Sequence, residues 1–301
     1  MPILNISHIS KSYGSYKAVD DVSFTVERGS VYGVLGPNGA GKTSTIRMIM
    51  NILLPDEGNI TLFDTAMNDT LKNRIGYLPE ERGLYPKMKV LDMLVFLGEL
   101  HLMPREEASQ KALEWLRRLG LEEQKDKKVE ELSKGMQQKV QIIGSLLHDP
   151  ELIILDEPFS GLDPVNTNLI KDIILELKVS GKAIMLSTHM METAEKLCDR
   201  VMMINHGRVV LQGALQPILM DHGKSSIQVE YSGDASFVSG LPMVETADIY
   251  GNYLEVRLKE GSSRNDFIGH LLNNIEVHSF KTMQSSLNEI FITLAGEKPN
   301  E

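Results

Sequence analysis

Five side chains carry most of the chemistry that this chain could do: Lys42, Thr43, Asp156, Glu157 and His189. Lys42 and Thr43 close the run Gly36-Pro37-Asn38-Gly39-Ala40-Gly41-Lys42-Thr43, the spacing G-x-x-x-x-G-K-[ST] of a phosphate-binding loop. Its glycines let the backbone come close enough for amide N–H groups to point at phosphate oxygens. Lys42 is expected to reach the β- and γ-phosphates, and the Thr43 hydroxyl to sit on Mg²⁺. Asp156 and Glu157 follow the apolar run Leu152-Ile153-Ile154-Leu155. Two carboxylates at the end of a buried strand are costly unless they meet a cation or move a proton.

These groups need elements to hold them. Ser30 to Leu35 reads as a buried strand, and Ser44 to Leu53 as a helix with Ile46, Ile49, Met50 and Leu53 on one face. Strand, glycine loop and helix form the context in which a phosphate loop works, and the helix N-terminus adds partial positive charge. Arg74 to Glu80 reads as a strand stopped by Pro79, and Ala183 to Ser187 as another, with His189 just past its end. Ligands meet α/β sheets at such strand ends. Ile3 to Lys11 and Val22 to Val26 alternate as strands, with Tyr13 and Tyr16 on the loop between them, and Asn59 to Phe63 is a further short strand.

From Arg82 to His148 the pattern turns helical, with helices over Val90–Leu100 and Glu106–Leu119. In the second of these Trp115 reads as a core residue. Ser133 is placed to N-cap a third helix carrying Met136, Val140, Ile143 and Leu147 on one face. Val165 to Val179 and Met190 to Cys198 are helical, and Val201 to Leu211 forms a hairpin around Asn205-His206-Gly207. After Pro217 the texture changes. Strands over Ile227–Tyr231 and Leu254–Leu258, a helix over Asn265–Ile275, and a capping box at Ser286–Glu289 indicate a small α+β domain. The expected division is 1–220 and 221–301, with the helical segment at about 82–150.

The whole chain sets limits. It has 301 residues, a net charge of −10 and 42% apolar residues, so it can bury a core and has no general affinity for nucleic acid. Cys198 is the single cysteine, which rules out a disulfide within the chain and fits a reducing compartment. No apolar run approaches the ~20 residues needed to span a bilayer, and no signal-peptide core opens the sequence. A soluble protein is expected, with any membrane part supplied by another subunit.

A phosphate loop alone leaves GTPases, kinases and many ATPases open, although no Asn-Lys-x-Asp guanine signature is present. The ordered set Tyr13, Gly36–Thr43, Glu80, Leu132-Ser133-Lys134-Gly135-Met136, Asp156-Glu157, Ser160–Asp163 and His189 resembles the nucleotide-binding subunits of ATP-binding-cassette (ABC) transporters over roughly residues 1–215. The resemblance implies a P-loop NTPase fold: a RecA-like α/β core with an antiparallel β lobe and a helical subdomain. It implies ATP and Mg²⁺ as ligands. Tyr13 would stack on adenine, Gly36 to Ser44 would hold the phosphates, and Thr43, Glu80 and Asp156 would hold Mg²⁺. Glu157 would be the catalytic carboxylate and His189 the switch histidine. Ser133, Gly135 and Asp163 would meet the ATP of a second cassette across a head-to-tail dimer. An integral membrane permease would be the other partner, placing the protein on the cytoplasmic face of the cell membrane.

The sequence departs from the family pattern at three places. Lys134 and Met136 replace a glycine and the glutamine of the usual Leu-Ser-Gly-Gly-Gln signature, and Glu80 replaces a glutamine. The stretch Tyr77 to Met88 resembles NatA-like and ABC-2-type exporter ATPases, in which glutamate often occupies that place and a C-terminal extension follows. Arg82 to Met103 is the expected coupling surface. The alternatives are a non-transport ABC ATPase and a regulatory module that binds ATP but hydrolyses it weakly.

Overall fold

The computed structural model describes residues 2–81, 83–221, 226–259, 261–283 and 286–296. Arg82, where the expected coupling surface and helical segment begin, lies outside them, as do 297–301. The chain divides into two compact units, Met1–Leu215 and Gln216–Glu301.

The first unit opens with two long antiparallel strands, β1 (Pro2–Tyr13) and β2 (Tyr16–Glu27), followed by β3 (Val31–Leu35), α1 (Lys42–Ile49), β4 (Glu57–Leu62) and β5 (Thr65–Ala66). β6 (Ile75–Leu78) precedes three helices, α2 (Val90–Leu100), α3 (Arg105–Arg118) and α4 (Lys134–Leu146). β7 (Leu152–Asp156), α5 (Pro164–Val179), β8 (Ala183–Thr188), α6 (Met191–Leu197), β9 (Arg200–Asn205) and β10 (Arg208–Ala214) complete the run, and α7 (Leu215–Asp221) begins at the first unit's last residue and lies otherwise in the second unit. One sheet has the order β2-β1-β4-β5, and a second the order β10-β9-β3-β8-β7-β6. In the second sheet β9, β3, β8, β7 and β6 run parallel, and β10 joins β9 as an antiparallel hairpin.

That topology follows from the residues. β3, β7 and β8 are buried at every position, as near-continuous apolar runs covered on both faces must be. Parallel pairing puts the carboxyl ends of β3, β6, β7 and β8 along one edge, with Leu78 opposite Leu155, Asp156 opposite Ser187 and Leu35 opposite Thr188. One apolar core, including Leu4, Ile6, Phe24, Tyr32, Ile46 and Ile154, packs the two sheets and α1 together. Small residues set the helix packing: a Cβ at Gly98 would lie 2.8 Å from Ala108 Cβ, and one at Gly144 would lie 2.5 Å from Leu97 Cδ1.

Several expectations are corrected. α1 stops at Ile49 rather than Leu53, because Asn51 turns to φ 51° and the N–H groups of Ile52 and Leu53 both fold back to Arg47 O. The 3.6-residue pattern ran on past the break. Tyr13 and Tyr16 are strand ends rather than loop residues, facing each other across the two-residue turn Gly14-Ser15. Trp115 is only partly buried, and the Arg118 guanidinium lies 4.9 Å from its ring.

The second unit holds β11 (Ser226–Ser232), β12 (Val244–Ile249), β13 (Tyr253–Leu258), α8 (Arg264–Asn274), β14 (Glu276–Met283) and α9 (Leu287–Gly296). Its antiparallel sheet has the order β12-β13-β11-β14. Ile227, Val229, Leu254 and Val256 pack against Phe267 and Leu271 of α8. β12 and β14 carry too many polar residues to stand out in the sequence. The capping box at α9 is present, with Ser286 N–H donating to Glu289 and Glu289 N–H donating to Ser286 Oγ.

Candidate active site

The loop from Gly36 to Gly41 leaves the buried strand β3 and enters α1 at Lys42. Two glycines are required for steric reasons. At Gly36, with φ 153°, a Cβ would fall 2.2 Å from Ile204 O, and at Gly41, with φ 109°, it would fall 2.4 Å from Ala18 O. Gly41 caps α1 without a side chain, and no acidic residue occupies the first turn. The helix therefore presents unpaired amides and partial positive charge at the loop. Lys42 Nζ donates to Gly36 O at 2.7 Å and to Pro37 O at 3.1 Å, which folds its ammonium back along the loop.

β7 delivers both carboxylates to the same edge. Thr43 Oγ1 donates to Asp156 Oδ2 at 3.1 Å. Glu157 Oε1 lies 3.9 Å from Lys42 Nζ, and both side chains are more than nine-tenths buried. Glu157 is held in the left-handed region at φ 50°, a cost that a non-glycine residue tolerates when its surroundings over-determine it. Those surroundings are β8 and the residue after it. Glu157 N–H donates to Ser187 O, Thr188 Oγ1 donates to Oε2 at 3.1 Å, and the His189 backbone N–H donates to Oε1 at 3.0 Å. The His189 ring adds Nδ1 at 2.9 Å from Oε1.

Lys42, Thr43, Asp156 and Glu157 line a cleft of about 270 Å³ together with Tyr13, Tyr16, Ala18, Asn38, Gly39, Ala40, Gly41, Ser44 and Glu80. Of the residues expected in the site, Gly36 and Pro37 act from behind the lining through their carbonyls, and His189 touches it through Glu157. Ser133, Gly135 and Asp163 do not line the cleft. Ser133 caps α4 by accepting from Met136 N–H, and Asp163 caps α5 by accepting from Asn166 N–H. The two loops are neighbours, since a Cβ at Gly135 would lie 3.5 Å from Gly161 O. Gln138 Nε2 ties α4 to the segment after Glu157, donating to Pro158 O at 3.2 Å.

Burial pushes the Asp156 carboxyl above its usual range. The Ser187 and Thr43 hydroxyls oppose that shift, and the charges of Glu80 and Glu157 add to it. Asp156 Oδ1 and Ser187 Oγ are both buried without a well-formed hydrogen bond. An unpartnered buried carboxylate oxygen beside a threonine hydroxyl fits a hard divalent cation. Among the described residues no group of three or more His, Cys, Asp or Glu could hold a metal alone. Mg²⁺ differs in needing only one or two carboxylates, the rest of its shell coming from water and phosphate oxygens.

Two supporting contacts were not legible as site features. Thr188 reads as one more β-former at the end of β8, yet its hydroxyl fixes Glu157. The turn at Gly207, which read only as a hairpin, donates its N–H to Ala40 O at 2.9 Å and accepts from Asp20 N–H, bracing the phosphate loop against β2.

The sequence matches the ABC transporter family over residues 19–160, and the C-terminal domain of DrrA1-3-like ATP-binding proteins over residues 213–295. It is 43% identical over 298 residues to the uncharacterized ABC transporter ATP-binding protein YhaQ of Bacillus subtilis, covering 98% of this chain and 99% of that one. It is 31% identical over 307 residues to Nod factor export ATP-binding protein I of Ralstonia nicotianae, covering 99% and 95%. A solved ATP-binding subunit of an ABC transporter superposes with a TM-score of 0.68 at 33% identity, over 73% of this chain and 92% of that chain.

Proposed function

The chain belongs to the ABC transporter ATP-binding proteins, ATPases that drive a separate membrane subunit, and from that premise we propose that it powers an exporter. The exporter reading is supported by the Nod factor export relative and by the NatA-like stretch from Tyr77 to Met88.

The observation that carries the catalytic assignment is the convergence of Lys42, Thr43, Asp156, Glu157 and His189 at one sheet edge. Phosphoryl transfer needs charge neutralisation and an oriented water more than covalent help. Lys42 and the loop amides neutralise phosphate charge. Thr43 and Asp156, with Glu80, would hold Mg²⁺, which would supply positive charge against the phosphates. Glu157 orients the attacking water and accepts its proton. His189 and Thr188 keep the carboxylate aimed. Tyr13 meets the base.

Ser133, Gly135 and Asp163, which do not line this cleft, would complete the site of a second cassette, identical or homologous. Residues 1–220 form the nucleotide-binding part, its helical segment at about 82–150, and 221–301 form an accessory domain. The membrane permease docks at an apolar cleft of about 270 Å³ whose lining includes Gly83, Leu84, Leu97 and His101, within the expected coupling surface. No helix among the described residues is long and apolar enough to cross a membrane, so the permease holds the protein on the cytoplasmic face.

The test is Glu157→Gln. It should bind ATP, lose turnover by about 10²–10³-fold, and accumulate as an ATP-dependent dimer that co-purifies from membranes with a multi-span protein. Wild-type turnover removes Glu157 from its role, and exclusively soluble partners remove the transport reading.

A further inference from the structure

Two consecutive carbonyls of the phosphate loop are held by groups outside it. The Tyr16 hydroxyl donates to Gly39 O at 3.2 Å, and Gly207 N–H donates to Ala40 O at 2.9 Å. Ala40 N–H donates to Pro37 O at 3.2 Å. The peptide between Gly39 and Ala40 is therefore fastened at its oxygen by Tyr16 and at its N–H by the loop's own turn.

A trans peptide points its N–H opposite to its C=O, so fixing a loop carbonyl also fixes the direction of the amide beside it. A carbonyl free to swing toward a bound phosphate would repel it, whereas a row of oriented amides attracts it. Of the loop's three glycines before Lys42, Gly39 has the most open surroundings. It has φ 79°, and a Cβ there would meet nothing within 4 Å. No neighbour fills the space beside Gly39, so its carbonyl is held by the Tyr16 hydroxyl, as the Ala40 N–H is by Pro37 O.

Tyr16 stands directly across the β1–β2 turn from Tyr13, and both rings line the cleft while about half exposed, at 52% and 49%. The two tyrosines nevertheless differ: only Tyr16 has its hydroxyl on a loop carbonyl. We infer that Tyr16 is a positioning residue for the triphosphate, its hydroxyl holding the Gly39 peptide in the phosphate-binding arrangement, while Tyr13 is left for the base. This rests on the cleft being the nucleotide site.

The test is Tyr16→Phe in the full chain, titrated with ATP and with inorganic triphosphate, which has no base, alongside steady-state turnover. Loss of one neutral hydrogen bond should weaken both ligands by a common factor of about 2- to 10-fold. KM should rise by a similar factor with kcat within about twofold. Tyr13→Ala should weaken ATP and leave inorganic triphosphate unchanged. Unaltered affinity for both ligands in Tyr16→Phe overturns the inference. So does a loss confined to ATP, which would mean that the ring acts on the base, or a fall in kcat at constant KM. Failure of the underlying reading looks different: Lys42→Ala would then keep wild-type affinity for both ligands.

Discussion

Glu157 Oε1 accepts hydrogen bonds from both the backbone N–H and the ring Nδ1 of His189, at 3.0 and 2.9 Å. With Nδ1–H committed to the carboxylate, the neutral ring keeps Nε2 as an acceptor. His189 is thus bound first to Glu157, and its side chain is otherwise 57% exposed. The histidine fixes where the carboxylate points, and its free nitrogen can take a hydrogen bond from water. β8 and the residue after it supply the clamp, since Ser187 O, Thr188 Oγ1 and His189 all reach Glu157, the residue just past β7.

His189→Ala should therefore act on turnover rather than on binding. The expected loss in kcat is about 10²–10³-fold, with nucleotide affinity changed by no more than about threefold. Equilibrium nucleotide titration and steady-state hydrolysis separate the two. A large loss of affinity with normal kcat would place the ring on the phosphates instead.

Asp156 illustrates a site kept at the expense of stability. Its folded pKa is raised, burial being the main cause, so the ionised form at neutral pH is disfavoured in the nucleotide-free fold. A raised carboxylate pKa gives stability that is present at low pH and lost as pH rises through the folded value. Asp156→Asn removes that charge without changing shape. Thermal melts at pH 7.5 should show the nucleotide-free variant raised by about 2–4 °C, with the stabilisation by added MgATP largely lost. A lower Tm together with normal MgATP stabilisation would count against Asp156 as a buried cation ligand.

The sequence made the two carboxylates and the phosphate loop legible because each follows a short, largely apolar strand. Leu152 to Leu155 could only be a buried strand, so Asp156 and Glu157 had to emerge at its end, and the same holds for Val31 to Leu35 before Gly36. What stayed hidden depends on contacts between distant segments. Thr188 carries no sign that it faces Glu157, and Gly207 none that it reaches Ala40. Helix ends were misplaced where backbone geometry overrides periodicity, as at Asn51. β12 failed to show because Glu245, Thr246, Ala247 and Asp248 do not alternate in polarity as a half-buried strand should.

The stacked rings of His101 and His148, 3.6 Å apart, predict acid sensitivity in the first unit. Burial, then the neighbouring His101, pushes His148 down to about 4, with Asp149 and the Ile75 carbonyl opposing and Lys111 assisting, and burial also lowers His101. The unfolded chain takes up protons near 6.5, so between 6.5 and about 4 it binds more protons than the folded one. Stability should fall as pH drops through that window. Melts at stepped pH should show His148→Gln with a shallower decline than the wild type; parallel curves would exclude the pair as its source.

Glu80 is the substitution in this site whose electrostatic direction is set by its neighbours. Its charge helps raise the Asp156 carboxyl, and the two share the cleft with Glu157. A third carboxylate favours a cation and opposes free ATP. Glu80→Gln should bind metal-free ATP more tightly, by about 2- to 10-fold, the size expected when one like-charge interaction at a partly exposed site is removed. It should also need more Mg²⁺ to reach half-maximal ATP binding. Titrating fluorescent ATP with and without a chelator, then adding Mg²⁺, measures both terms. Equal affinity for metal-free ATP in the two proteins would show that Glu80 stands too far from the phosphates to matter.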